Sequence, residues 1–297
     1  MANTIELITK YLPGIVDDVY KKASVTAILD VPSMLVQETA DAKTVRIPSV
    51  TLQGLANYDK ATGFVDGDVN LSWEPYTFTQ DRGRSMSVDA VDNDESGQVI
   101  LASSSGLAGR FVREKVVPEI DAYRLATYAT AAATKITGAL TATTIMPAIE
   151  TGLTLLADSE AGDEGKIIFV SAANMSLIRQ AIGRMVLNGE NAINNRVLNY
   201  NGNTFIEVPS SRFGTTFTAA NATSGSQAGG FTITGTQNFL IVSPESVFQL
   251  AKHVANRVFA PNVNQTKDAW KFDYRVYHDC WAFKNKRIGI YSHAVTA

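Results

Sequence analysis

Between Val45 and Asp89 the chain reads "VRIPSVTLQ", then "GLANYDKATGFVDGDVN", then "LSWEPYTFTQDRGRSMSVD". The outer stretches alternate at the period of a β-strand, and the middle one sets Gly54, Gly63 and Gly67 among Asn and Asp. Two long strands around a turn-rich tip are predicted. A two-stranded ribbon is marginal alone in water, yet this one carries Phe64, Trp73, Tyr76 and Phe78. It must lie against a surface. The chain in front of it offers little, because residues 5 to 37 are short apolar clusters interrupted by Pro13 and Pro32, an arm that also has to rest on something else.

Behind the ribbon the strand period gives way to acids, Asp92, Asp94 and Glu95, and then to a helical pattern from about Ser96 to Lys135. Asp94, Glu95 and Ser96 stand where a helix N-terminus takes acceptors and negative charge. Val112, Val116, Ile120, Tyr123 and Thr127 form a stripe, leaving Arg113, Glu114, Lys115, Glu119, Asp121 and Arg124 on the other faces. Pro118 predicts a kink, or a restart with the proline in a first turn. From Thr141 to Pro261 the pattern is a compact α/β unit. "TTIMPAIETGLTLLADSE", "AANMSLIRQAIGRMVL" and the shorter "ESVFQLAKHV" read as helices, while "KIIFVS", "NTFIEVP" and "NFLIVSP" read as strands. Gly214 to Gly235 is nearly all small and polar, which predicts an exposed mobile loop. Two long aromatic strands, broken at "NKRIG", close the chain and are the expected partner of the helical stripe.

With 297 residues, 45% of them hydrophobic, the chain can build one large core or two modest ones. Lys plus Arg number 26 against 29 for Asp plus Glu, which argues against a protein whose affinity rests on neutralising many phosphates. Secretion and membrane spanning lack a signal, and a single cysteine forbids an internal disulfide, so a cytoplasmic birthplace is expected. Catalytic motifs fail. "AGDEGKII" approaches a phosphate-binding loop but has the wrong spacing and ends in Ile167 where a hydroxyl is needed. His253, His278 and His293 are solitary, and no metal or cofactor site is expected. His278 and Cys280 share a strand face, which permits a thiol–imidazole pair, although their aromatic neighbours mark Cys280 as a small core residue. Asn221 with Thr223 matches the glycosylation spacing without the signal that would give it meaning.

The order of these zones, with "TFTQDRGRSMSVDAVDNDE", "FVREKVVPEIDAYRLATYA", "EVPSSRF" and "DAWKFDYRVYHDCWAFKNKRIGIY", resembles the major capsid proteins of tailed bacteriophages with the HK97-type fold. That α+β fold has a long spine helix, an extended two-stranded loop, a peripheral domain and a central α/β axial domain. The resemblance implies an N-terminal arm over 1–43, the extended loop over 44–88, a peripheral domain over 89–140 and 262–297, and an axial domain over 141–261. It implies a non-enzymatic structural subunit that self-assembles through hexamers and pentamers into an icosahedral shell around phage DNA. Assembly would occur in the host cytoplasm, the product being the virion capsid. The expected partners are other copies, scaffolding protein, portal and decoration proteins, with weak non-specific contact to packaged double-stranded DNA. Scaffolding would be a separate protein or a segment removed ahead of the arm. Phe64, Trp73, Tyr76, Phe78, Arg82, Arg84, Asp92 and Asp94 are the expected subunit-interface residues, the rings for burial and the charges for register. Lys60 and Asn285 are of types from which a family-style isopeptide could be made. An encapsulin-like nanocompartment shell and an α/β enzyme are the alternative functions.

Overall fold

A computed structural model describes residues 23–30, 43–95, 106–161, 165–182, 199–221 and 228–295. Most of the expected arm, Ser96, much of the glycine-rich approach to Ile167, Thr223 and the end of the helix expected through Leu187 lie outside the described residues.

The ribbon forms as expected at its outer end. β1 (Thr44–Leu52) pairs antiparallel with β2 (Val69–Thr77) from Thr44 opposite Thr77 to Leu52 opposite Val69. It does not continue to residue 88. The chain breaks at Phe78 and Thr79, and β3 (Gln80–Asp89) joins a different sheet. The break follows from burial: Phe78 is only 5% exposed, its ring 4.9 Å from that of Trp281 and 5.1 Å from that of Tyr277. Burial of Phe78 anchors the end of β2 in the core, and the chain beyond it runs along the subunit instead of extending the ribbon.

Beyond β3 comes α1 (Ala90–Glu95), then a helical run made of α2 (Gly106–Phe111), a π-helical turn at Val112–Val116, and α3 (Val117–Ala131). Pro118 sits in the first turn of α3, where its missing N–H costs nothing, and the wider π turn ahead of it absorbs the steric clash. β4 is Thr134–Thr137, α4 is Ile145–Asp158, β5 is Ile167–Ser171 and α5 is Ala172–Ile182. β6 (Asn199–Tyr200), β7 (Asn203–Val208), β8 (Thr216–Ala219), β9 (Phe231–Thr234) and β10 (Gln237–Val242) follow. The last strands are β11 (Val247–Phe259), β12 (Ala269–Ala282) and β13 (Ile290–Ala294).

Two sheets enclose the long helical run. A mixed six-stranded sheet has the order β4-β13-β10-β5-β7-β6, with β13 parallel to β4 and β5 parallel to β7. Its strands β10 and β5 are buried on both faces, and Phe239–Val242 and Ile167–Val170 read as unbroken apolar runs for that reason. Ile168, Val170, Phe239, Ile241 and Tyr291 face α4 and α5. Phe169, Leu240, Val242 and Ile290 face Leu125, Tyr128 and Ala129 of α3. Gly152 lets α4 lie close on this sheet, since a Cβ there would sit 2.9 Å from Ile241 Cδ1 and 3.1 Å from the Tyr291 ring. On the other side of α3 lies the three-stranded antiparallel sheet β11-β12-β3.

This sandwich corrects four expectations. "ESVFQLAKHV" is, from Val247 onward, the start of a 13-residue strand, because pairing with β12 supplies its hydrogen bonds and buries Val247 and Phe248. The last strand, β13, enters the central sheet instead of standing with β12 in a separate peripheral unit, so that sheet draws on segments outside 141–261 and gives up β11. Asp121 and Arg124, expected on outer faces, are 0% and 7% exposed because α3 is covered on both sides. The small-residue stretch from Gly214 holds a hairpin, β8 with β9, in which Phe217 stacks on Phe231 at 5.6 Å and supplies the apolar contact that composition alone conceals.

Candidate assembly surface

The register of the ribbon sorts its side chains into two faces. One carries Val45, Ile47, Tyr76 and Glu74, which are half-buried against the subunit's own closing segment. There Tyr76 makes edge contacts with Phe248, Trp281 and Phe283, and its hydroxyl accepts the Lys284 N–H at 3.2 Å. Lys284 Nζ donates to Glu74 at 2.9 Å and Asn285 Nδ2 to Ser49 Oγ at 3.0 Å. The opposite face pairs Pro48 with Trp73, Val50 with Leu71 and Leu52 with Val69, all exposed. Nine of the nineteen large hydrophobic side chains exposed among the described residues fall between Val50 and Trp73, so this concentration is not the ordinary scatter of a soluble surface.

The tip is ordered by local hydrogen bonds. Asp59 and Gly63 form a β-bridge, the Asp59 carboxylate accepts the Ala61 N–H at 2.9 Å, and Gly63 supplies the positive φ of 85°. The bridge brings Tyr58 and Phe64 together at 4.9 Å, with Phe64 89% exposed. Lys60 shares this turn, whereas Asn285 lies at the ribbon's base beside Ser49.

The root is held by Asp279, buried to 1% in β12. Its Oδ2 accepts the Thr79 N–H at 2.6 Å and the Thr79 hydroxyl at 2.8 Å, and its Oδ1 accepts the Tyr123 hydroxyl at 2.6 Å. Burial first, and then the Cys280 and Asp279 side chains, push the Tyr123 phenol well up. Below it, His278 is buried with Nδ1 unpartnered, and burial followed by the nearby Arg124 and Arg82 charges lowers its imidazole to about 4. Burial and then Asp279 push the Cys280 thiol up to about 12, the state of a core residue rather than of a nucleophile.

The expected interface set therefore divides. Phe64 and Trp73 lie on the bare surface; Tyr76 and Phe78 serve the subunit's own core edge. Arg82 bonds Glu119 of α3 at 2.6 Å, an intrasubunit brace. Arg84 lies opposite Tyr274 on the helix-facing side of the three-stranded sheet. Asp92 and Asp94 fall inside α1 instead of capping the long run, and the acceptor at the start of α1 is Asp89, whose carboxylate takes the Val91 N–H at 3.0 Å. Sequence reasoning missed the exposed aliphatic pairs Val50–Leu71 and Leu52–Val69; strict alternation on both strands is the signal that carries them.

A second cluster holds residues 23–30. Asp121 of α3 accepts bonds from Ser24 Oγ (2.8 Å), Val25 N (3.1 Å), Thr26 Oγ1 (2.7 Å) and Arg212 Nη1 (3.0 Å). Arg124 reaches Thr26 Oγ1 and Asp30, and Gln249 joins Asp30 to Tyr128. Residues 23–30 thus rest on the subunit's own helix. Among the described residues no group of three His, Cys, Asp or Glu could hold a metal, and no helix is long and apolar enough to cross a membrane.

No family model and no curated protein matches the sequence. Solved structures do. A chain of Mycobacterium phage Che8 is 13% identical with a TM-score of 0.66, covering 97% of each chain. A chain of the bacteriophage PhiM1 mature capsid is 14% identical, TM-score 0.66, covering 97% of this chain and 92% of that one. A chain of the capsid of cyanophage P-SCSP1u is 13% identical, TM-score 0.66, covering 97% and 93%. Over nearly its whole length the protein has the fold of bacteriophage capsid chains.

Proposed function

We propose that the protein is the major capsid protein of a tailed bacteriophage and that it assembles with copies of itself into the shell of the virion. The observation that carries this reading is the bare apolar face of a ribbon that the subunit holds out from its own core, on a fold shared end to end with phage capsid chains. Trp73 with its aliphatic neighbours is stable in water only when another surface covers it. A neighbouring copy is that surface, and a contact between unlike patches repeats around a ring until it closes. In the terms of the HK97-type fold, β1 and β2 are the extended loop, α2 to α3 the spine, β11-β12-β3 the peripheral sheet, and the six-stranded sheet with α4 and α5 the axial domain. Hexamers and pentamers are the expected rings. Scaffolding, portal and decoration proteins are expected partners, and the near-neutral charge suits weak contact with enclosed DNA. The role is structural and not catalytic.

The test is expression of the full chain, alone and with candidate scaffolding, followed by negative-stain imaging and sedimentation. Closed shells of uniform diameter are expected. Small oligomers under every condition would overturn the reading.

A further inference from the structure

Three nitrogens of one side chain join three parts of the subunit. Arg82 leaves β3 opposite Val276, on the face the sheet turns toward the long helix. Its Nε donates to Glu119 Oε1 at 2.6 Å, its Nη1 to the Ala220 carbonyl at 3.2 Å and its Nη2 to the Gly230 carbonyl at 2.9 Å. Ala220 and Gly230 lie at one end of the β8–β9 hairpin, where the Ala220 N–H also donates to Gly230 O. The hairpin lies across α3 as a strap. Phe217 meets the Tyr123 ring edge-on at 5.4 Å, and at the other end the Thr130 hydroxyl reaches Thr215 O at 3.5 Å, a weak contact.

What the strap covers is the root of the ribbon. Tyr123 donates to Asp279, and Asp279 holds both the N–H and the hydroxyl of Thr79 at the joint between β2 and β3. His278 shares the cover, its ring 5.8 Å from that of Tyr123. We propose that Arg82 is a latch that fastens the strap over this joint, so that strap and ribbon are held, and released, together. Lifting the hairpin bares Tyr123 to water, its hydroxyl exchanges Asp279 for solvent, and Thr79 loses the rigid carboxylate that sets the ribbon's angle. Arg82 is thus a positioning residue for a surface it does not touch. The consequence for shell assembly rests on the capsid reading; the coupling is a property of the single subunit.

Hydrogen exchange read by mass spectrometry on dispersed, full-length subunits tests it. Arg82→Gln should speed exchange on the order of tenfold in Thr216–Ala219 and Phe231–Thr234, and speed exchange at Thr79 and along β1 and β2 as well. Tyr123→Phe should loosen Thr79 and the ribbon while the hairpin keeps most of its protection. If Arg82→Gln fails to fold, Arg82→Lys gives the same pattern at smaller amplitude, since one ammonium cannot satisfy three acceptors held by a planar fork. A hairpin that loosens with Thr79 unchanged overturns the latch, as does wild-type exchange in both. Particle imaging is a separate readout: subunits that show the coupled exchange yet never close into shells keep the latch and reject the capsid reading.

Discussion

The buried side of α3 and the outer face of the ribbon treat surface in opposite ways. Around α3 even charge is enclosed: Asp121 pairs with Arg212, and Asp121, Arg124 and Gln249 each bond residues 23–30 within one chain. On the ribbon even Trp73 and Leu71 are left in water. The subunit is finished at its helix and unfinished at its ribbon, and that division separates what folding completes from what assembly completes.

Breaking the finished side should cost most. Asp121→Ala removes the carboxylate that pairs with Arg212 and accepts from Ser24 and Thr26, and loss of one member of a buried pair typically costs about 3 to 5 kcal/mol. Urea denaturation of the dispersed subunit measures it; a loss below about 1 kcal/mol would mean that residues 23–30 are not fastened there. His278 comes next. Its folded imidazole titrates near 4 against an ordinary 6.5, so between those values the unfolded chain binds a proton that the folded one refuses. Stability is therefore full above about pH 6.5 and declines as pH falls toward 4, by an amount on the order of 3 kcal/mol. His278→Gln should flatten that slope, and an unchanged pH profile would place the sensitivity elsewhere.

On the unfinished side the effects on the subunit shrink. Glu74→Gln removes the partner of Lys284 at the ribbon's base, a surface pair of about 0 to 1 kcal/mol, and should change the melt little while raising proteolysis of β1 and β2. The double change Trp73→Ser with Leu71→Ser should be smallest, within about 0.5 kcal/mol on the dispersed subunit. Light scattering should nevertheless record no shells. If these serines leave assembly intact, the bare face is not the contact, and the contrast between the two regions loses its meaning.

What the sequence made legible follows the same line. The ribbon, the proline-started helix and the apolar runs of β5 and β10 are local patterns, and each was readable because its period or its special residue needs no distant partner. β11 was not: Val247, Leu250 and Val254 fall at helical spacing, and only their partners Ala282, Asp279 and Val276 on a later strand decide for extension. Asp121 and Arg124 read as solvated because nothing local announces that two sheets will close over the helix. Of the residues expected at the interface, the exposure of Trp73 and Phe64 was legible, while the contacts of Phe78 and Arg82 within the subunit were not, because their partners, Trp281 and Glu119, are remote in sequence.

The π turn at Val112–Val116 gives the long helix a property of a different kind. One extra residue in a turn rotates everything upstream by roughly 100° about the axis. The apolar positions on the two sides of the turn are therefore out of phase. Upstream, Phe111 meets Tyr274 of β12; downstream, Tyr123 bonds Asp279 of the same strand while Leu125 and Tyr128 enter the core shared with the central sheet. Removing one residue from the turn would keep the helix and misaim one of its ends, so the exact count of residues there is itself a structural specification.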